Sequence, residues 1–130
     1  MILVDTSVWI GYFNGQRTPQ TDKLDALLGA EPLGIGDLIL TETLQGFRAE
    51  SDFQKAKELL TSLTPFEMLG VDNAIRSAEH YRELRKRGIT VRKTVDVIIA
   101  TFCIVSNHAL LFADRDFEPF VEHFGLRQVI

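Results

Sequence analysis

The sequence predicts an α/β protein whose parallel sheet is covered by helices on both faces. The candidate strands are short, unbroken apolar runs such as residues 2–4 and 109–113, which is typical of strands buried on both sides. Between them lie stretches with apolar residues at helical spacing, and strands that alternate with helices favour a parallel sheet. Since 130 residues suffice for one core, we predict a single domain over residues 1–130.

The strands are assigned from apolar runs bounded by turn or cap residues. They are predicted at residues 2–4, 33–35, 66–69, 109–113 and 126–130. Pro65 is expected to stop the helix before the third strand. Two of these runs, residues 2–4 and 109–113, lead directly into an aspartate, so the carboxyl edge of the sheet becomes the first place to look for a site.

The helices are assigned from apolar residues at a period near 3.6 and from their caps. They are predicted at about residues 8–13, 18–28, 37–47, 51–63, 72–87, 94–106 and 117–124. Thr18 is the expected N-cap of the second helix, before a proline, and Asp37 and Asp72 are expected caps of the third and fifth. Ser51 and Gln54 fit a capping box for the fourth.

Composition and hydropathy predict no membrane span and favour a cytoplasmic location. The longest apolar stretch, about residues 97–105, is far shorter than the roughly 18 residues that a membrane span needs. No basic region precedes an apolar one at the start, so we expect no signal peptide. The single cysteine, Cys103, lies in the apolar stretch and is expected to be a buried thiol, consistent with a cytoplasmic protein.

The positive charges are concentrated in one segment of an acidic chain. The net charge is −4, which by itself argues against a nucleic-acid partner. Yet residues 82–93 hold six of the fourteen basic residues and only one acid. The basic residues before Gly88 are also favoured at the C-terminus of a helix by the helix dipole. Arg92 and Lys93 come shortly before Asp96 and are therefore candidate contacts to the backbone of a nucleic acid.

Four acids occupy positions where an acid is unusual. Asp5 and Asp114 directly follow apolar strands, Asp96 is the only charged residue between Thr94 and His108, and Glu42 lies early in a mostly apolar helix. Taken singly, each has an ordinary explanation as a cap, a first-turn acid or an ion-pair partner. Taken together, all four fall at the edge where strands end and helices begin.

Four carboxylates at one edge would repel each other unless a cation neutralised them. An all-oxygen ligand set suits Mg²⁺ or Mn²⁺. Zinc is disfavoured, because the one cysteine is expected to be buried and the three histidines lack ligand spacing. Asp116, two residues after Asp114, is a fifth candidate, either as a metal ligand or as the cap of the following helix.

At these residues the chain resembles the PIN-domain ribonucleases, and among them the VapC-like toxins of toxin–antitoxin pairs. The matching segments are residues 2–10, Glu42, residues 94–100 and residues 111–117. The family's acids map onto Asp5, Glu42, Asp96 and Asp114, with Asp116 assisting and a hydroxyl from Thr6 or Ser7 beside them. The resemblance implies a three-layer α/β/α sandwich with a parallel sheet of about five strands, a homodimer, and inhibition by a cognate antitoxin.

The same resemblance implies Mg²⁺- or Mn²⁺-dependent cleavage of RNA by a metal-activated water. Asp5 and Asp96 are the expected main ligands, with Glu42 and Asp114 holding a water or a second ion. A haloacid-dehalogenase-like phosphatase is an alternative, but Ser7 stands where that chemistry needs a second aspartate. A receiver-like binding module and a non-catalytic PIN scaffold are further alternatives; the first leaves Asp96 unexplained.

Overall fold

A five-stranded sheet forms the centre of the molecule in a computed structural model that describes all 130 residues. Its strands are β1 Ile2–Val4, β2 Leu33–Gly36, β3 Thr64–Phe66, β4 Ala109–Leu111 and β5 Arg127–Gln128. Every pairing is parallel, in the order β3-β2-β1-β4-β5. The predicted parallel α/β architecture is therefore confirmed.

Seven α-helices flank this sheet. They are α1 Thr6–Phe13, α2 Pro19–Leu27, α3 Asp37–Gln45, α4 Glu50–Thr61, α5 Val71–Lys86, α6 Thr94–Val105 and α7 Glu118–Phe124, with a short 3₁₀ helix at Arg115–Phe117. No helix combines the length and apolar character that a membrane span requires.

Strand β1 is the central element of the sheet and of the core. It pairs with β2 on one side and β4 on the other, and Leu3 and Val4 are completely buried. The backbone N–H of Asp5 then donates to the carbonyl of Leu111 at 2.8 Å. The strand therefore ends in a carboxylate whose backbone is fixed to the neighbouring strand.

Strands β3, β4 and β5 differ from the predicted bounds, and β4 ends at Leu111, two residues before the predicted end. β3 begins two residues earlier than predicted and contains Pro65, which was expected only to stop the preceding helix. Since β3 pairs only with β2, it is an edge strand, where a proline without an N–H is tolerated. β5 is limited to two residues of the predicted 126–130.

Three of the four expected helix caps differ, and one is confirmed. Thr18 caps α2 in a box with Thr21. Asp37 is the first residue of α3, whose N-cap is Gly36, and α5 likewise begins one residue before Asp72, at Val71. The Asp37 carboxylate instead accepts hydrogen bonds from the N–H groups of its neighbour Leu38 and, at 3.0 Å, of Met68.

The predicted capping box at Ser51 is absent. Helix α4 begins one residue earlier, at Glu50, with Ala49 as its N-cap. The Gln54 amide donates to the Glu50 carboxylate at 2.9 Å, along the helix, rather than returning to a capping residue.

Gly36 allows Met68 to pack directly on β2, and this contact can be tested. A Cβ at Gly36 would overlap the Met68 sulfur and lie 2.7 Å from its Cε and 2.8 Å from its Cγ. Because Met68 is fully buried, we expect Gly36→Ala to lower the free energy of unfolding in urea by about 1–3 kcal/mol, as overpacking does.

Gly46→Ala is the matched control for this substitution. A Cβ there has its nearest contact at 3.5 Å, from the Thr43 carbonyl, and its backbone is in the ordinary helical region. Equal unfolding free energies for the two variants would contradict the packing role of Gly36.

Candidate functional site

The four unusual acids line one cavity of about 310 Å³ at the carboxyl edge of the sheet. Asp5 follows β1 and Asp114 lies beyond β4, while Glu42 comes from α3 and Asp96 from the first turn of α6. They converge because β2, β1 and β4 are neighbours in the sheet, and the helix after β2 starts at the same edge. The side chains of Thr6 and Ser7 also line the cavity.

Asp5 is held by the start of α1. It is the N-cap of that helix, and its Oδ2 accepts hydrogen bonds from the Ser7 N–H at 3.2 Å and the Ser7 hydroxyl at 2.7 Å. Burial raises the pKa of Asp5, and the bonds from Ser7 act in the opposite direction. Asp5 can therefore both cap α1 and take part in the site, because the hydrogen bonds of the cap go to Oδ2 alone.

Glu42 is held by the other hydroxyl. The Thr6 side chain donates to Glu42 Oε1 at 2.9 Å, across 36 residues of sequence. The adjacent hydroxyls of Thr6 and Ser7 thus orient two different carboxylates, one on α3 and one at the end of β1.

Asp96 is the acid with the least support from neighbouring groups. It is only 5% exposed, and its Oδ2 is buried without a hydrogen-bond partner. Burial first, and then the charge of Asp5, raises the pKa of Asp96 to about 7, although Lys93 opposes this. An ionised carboxylate in this position is costly unless a cation pairs with it.

Asp114 and Asp116 complete a cluster with Asp96. Carboxylate oxygens of these three residues lie within 4.8 Å of one another. Asp114 Oδ1 caps the 3₁₀ helix by accepting the Asp116 N–H at 2.9 Å, whereas Asp116 Oδ2 is buried and without a hydrogen-bond partner. Arg92 approaches that oxygen at 3.7 Å.

This donor set fits a hard divalent cation. Buried, unpartnered carboxylate oxygens that converge within a few ångströms are suitable ligands for Mg²⁺ or Mn²⁺. The three histidines have other partners: His80 bonds Thr101, His108 the N-terminal amine and His123 the guanidinium of Arg87. None of them belongs to the acidic cluster.

The cavity also contains one polar residue that the sequence analysis did not identify as part of a site. Gln45 lines it from α3, one turn after Glu42 and on the same face of the helix. Its spacing of three residues from Glu42 was the sequence feature that could have placed it at the site.

Only part of the basic segment reaches this site. Lys93 lines the cavity, and Arg92 is a highly exposed side chain beside Asp116. Farther back on the chain, Arg85 stacks over the ring of Tyr81, and Arg87 lies 3.5 Å from Glu83. The candidate RNA contacts beside the acids are therefore Lys93 and Arg92.

Comparison with known proteins gives consistent matches over most of the chain. The model of the PIN domain family matches residues 2–120. VapC ribonuclease Mb1587 of Mycobacterium bovis is 32% identical over 123 residues, which cover 91% of this chain and 90% of that protein. Ribonuclease VapC1 of Methanocaldococcus jannaschii is 30% identical over 128 residues, covering 97% of this chain and 85% of that protein.

Solved structures share the fold at lower sequence identity. VapBC2 from Rickettsia felis, bound to a DNA fragment from its promoter, superposes with a TM-score of 0.75 at 17% identity, covering 99% of this chain and 98% of that one. A toxin-antitoxin complex from Klebsiella pneumoniae gives a TM-score of 0.72 at 21% identity, covering 100% and 97%. With the extent of the family match and the identity to its ribonucleases, the chain belongs to the PIN-domain family and, within it, to the VapC ribonucleases.

Proposed function

We propose that this protein is a metal-dependent endoribonuclease that acts as the toxin of a toxin–antitoxin pair. The observation that carries the proposal is the convergence of Asp5, Glu42, Asp96 and Asp114 on one cavity, around a buried Asp96 oxygen without a partner. The relatives named as VapC ribonucleases support the same activity. Neither the phosphatase nor the receiver-like module finds support among these relatives.

Asp5, Asp96, Asp114 and Asp116 are the residues that would hold Mg²⁺ or Mn²⁺. When bound, such an ion lowers the pKa of water and offsets the charge of a phosphodiester beside the acids. Asp5 is positioned for this by Ser7, while Asp114 has only Oδ1 engaged by the backbone of Asp116.

Glu42 is the residue suited to take the proton of the attacking water. Its Oε1 is fixed by Thr6, so the carboxylate has a defined orientation towards the cavity. In-line attack on phosphorus breaks the bond to the 3′ oxygen, leaving a 5′-phosphate and a 3′-hydroxyl. Lys93, at the rim of the same cavity, binds the RNA backbone, and Arg92 extends that contact.

A second copy of the chain fits the outer face of α5. Two apolar side chains near the start of this helix point outward: Val71 is 77% exposed and Ile75 56%, whereas Ser77 and Leu84 are its buried residues. The helix is acidic at its start, with Asp72, and basic at its end. Antiparallel packing of two α5 helices therefore brings opposite charges together and covers the exposed apolar side chains, which supports a homodimer.

The cognate antitoxin is the other expected protein partner, and the buried state of Cys103 suits a cytoplasmic location. Two of the structures with the same fold are toxin–antitoxin assemblies, which supports an antitoxin partner for this chain.

Asp96→Asn tests the nuclease proposal directly. We expect it to lower Mg²⁺-dependent RNA cleavage more than roughly a hundredfold, because it removes a ligand charge from the site, and to remove the increase in melting temperature that Mg²⁺ or Mn²⁺ produces. Asp52→Asn, which makes the same charge change on the exposed start of α4, should leave both unchanged. Cleavage by Asp96→Asn at the rate of the original protein would disprove the assignment.

The raised pKa of Asp96 predicts that the metal-free protein becomes less stable as the pH rises. The folded pKa is about 7 against an ordinary value of 3.8, so the native state binds this proton more tightly than the unfolded chain. Stability should therefore fall as pH rises from about 4 to about 7. In EDTA, we expect the melting temperature of Asp96→Asn to exceed that of the original protein increasingly across this window; parallel curves would contradict this.

Lys93→Gln tests the RNA contact. In an Asp96→Asn background, where RNA is bound without being cut, each lost phosphate contact should reduce the slope of log affinity against log salt by about 0.7. Lys57→Gln on α4 is the control with the same charge change. Equal slopes in the two variants would exclude Lys93 from the RNA-binding surface.

Ile75→Lys tests the dimer. Light scattering should give about twice the chain mass of 14.7 kDa for the original protein and the mass of one chain for the variant. The reason is that the lysine charge would be buried in the two-fold interface without an ion-pair partner. Val105→Lys, at the exposed end of α6, should remain dimeric. A dimer unaffected by Ile75→Lys would place the interface elsewhere.

A further inference from the structure

We propose that a cavity between α5 and α6 binds an unpaired adenine base of the RNA and thereby selects the phosphate that is cut. The cavity has a volume of about 450 Å³ and shares no lining residue with the acidic cavity. The inference rests on the proposed function, because it needs RNA at the acids. The side chains that carry it take no part in the metal chemistry.

The first turn of α6 lies between the two cavities. Lys93 and Asp96 line the acidic cavity, whereas Thr94 and Val97 line the cavity beside α5. A helix with its side chains is about 10 Å across, so an RNA strand with a phosphate at Asp96 reaches the second cavity within a few nucleotides. A base bound there would therefore fix which phosphate is presented to the acids.

Small side chains on α5 keep the cavity open. Ala74 and Ala78 lie one turn apart on this helix and both line the cavity, and Val97 and Ile98 line it from α6. Its volume lies in the range of about 300–1,000 Å³ that is typical of small-molecule sites. Tyr81 adds an aromatic ring to the lining, the kind of surface on which unpaired RNA bases stack. The cavity therefore suits a flat, largely apolar group such as a nucleobase.

One polar group in this cavity has no partner within the protein. Ser77 lines the cavity and is only 5% exposed, and its hydroxyl is buried without a hydrogen-bond partner. A buried hydroxyl that stays unpaired costs stability, so a ligand that bonds to it recovers this cost on binding. Thr94 brings a second hydroxyl to the lining, from the exposed start of α6.

This pair of hydroxyls favours adenine over the other bases. The Watson–Crick edge of adenine has one amino donor and one ring-nitrogen acceptor, which the hydroxyls of Ser77 and Thr94 can satisfy. Guanine brings a further donor, which would stay unpaired between mainly apolar walls. The pyrimidines have a smaller ring system and would bury less apolar surface against the alanines of α5.

Positive charge surrounds the mouth of this cavity. Arg82 lines it, and the guanidinium carbon of Arg85 lies over the ring of Tyr81, 5.6 Å from the ring centre. Lys93 directly precedes Thr94 on the side of α6. The phosphates that flank a bound base would therefore meet basic side chains. This gives a role to the part of the basic segment that lies away from the acids.

The base site and the proposed dimer use different side chains of α5. Val71 and Ile75, which the dimer is proposed to cover, do not line the cavity. The competing occupant, a second copy of the chain, can therefore be distinguished by its effect on the oligomeric state.

Short single-stranded RNA probes test the base preference by fluorescence anisotropy. One probe is oligouridylate, and the others are the same strand with a single central adenosine or guanosine. The protein carries Asp96→Asn, so that RNA is bound without being cut. We expect the adenosine probe to bind roughly tenfold more tightly than either of the others.

Two variants of the cavity, added to this background, should change that preference. Ala74→Leu fills the cavity, so the three probes should bind with equal affinity. Ser77→Ala should reduce the preference several-fold without lowering the melting temperature, since it removes only a hydroxyl that has no partner in the free protein. Ala26→Leu is the matched control, at an exposed position of α2 outside the cavity, and should keep the full preference.

The proposal is overturned if the three probes bind the unaltered cavity equally, or if Ala74→Leu keeps the preference that Ala26→Leu shows. It is also overturned if Ala74→Leu converts a dimer into a monomer in light scattering, because the cavity then belongs to the contact between copies. With Asp96 present, the cut should lie at a fixed distance from the single adenosine. Cleavage without any base preference would overturn the base site alone. A preference for adenosine without metal-dependent cleavage would overturn the nuclease proposal alone.

Discussion

The structure depends on holding several carboxylates together in a poorly solvated cavity against their mutual repulsion. The charge of Asp5 is among the causes that raise the pKa of Asp96, and Asp114 and Glu42 contribute in the same direction. Repulsion of this kind would push flexible side chains apart. Here the acids come from a strand end, a helix start, a helix interior and a capped turn, and each of these backbones is fixed by the sheet or by its own helix.

The carboxylates differ in the hydrogen bonds that they receive from the protein, and this difference indicates how the site would work. Asp5 and Glu42 each have a hydroxyl from the start of α1, and Asp114 has a backbone N–H. Asp96 has no partner for its buried Oδ2. A network satisfied by protein groups alone would be a stable polar core with no capacity for a ligand. Leaving the buried Oδ2 atoms of Asp96 and Asp116 without hydrogen-bond partners costs stability and gives an incoming cation a strong differential affinity for the folded state.

The sequence was sufficient to predict that the four acids lie close together, because the order of strands and helices determines which of their ends share an edge of the sheet. Asp5 and Asp114 end parallel strands, and the carboxyl ends of such strands meet at one edge. Helix faces were harder to assign. Periodicity predicted the helix α5 but not which of its side chains are buried: the structure buries Ser77 while exposing Val71 and Ile75. Capping residues were also misassigned: α3 begins at Asp37 itself, whose carboxylate accepts hydrogen bonds from the backbone N–H groups of Leu38 and of the distant Met68.

Charge is distributed unequally around the cavity, and this distribution explains how an acidic protein can bind a nucleic acid. Lys93 and Arg92 provide positive charge at the start of α6, where an RNA backbone is attracted. The net charge of −4 describes the whole chain, whereas an approaching RNA responds to the local field beside the acids. Only the short segment next to Asp96 has to be basic, so the remaining surface can stay acidic without preventing RNA from reaching the cavity.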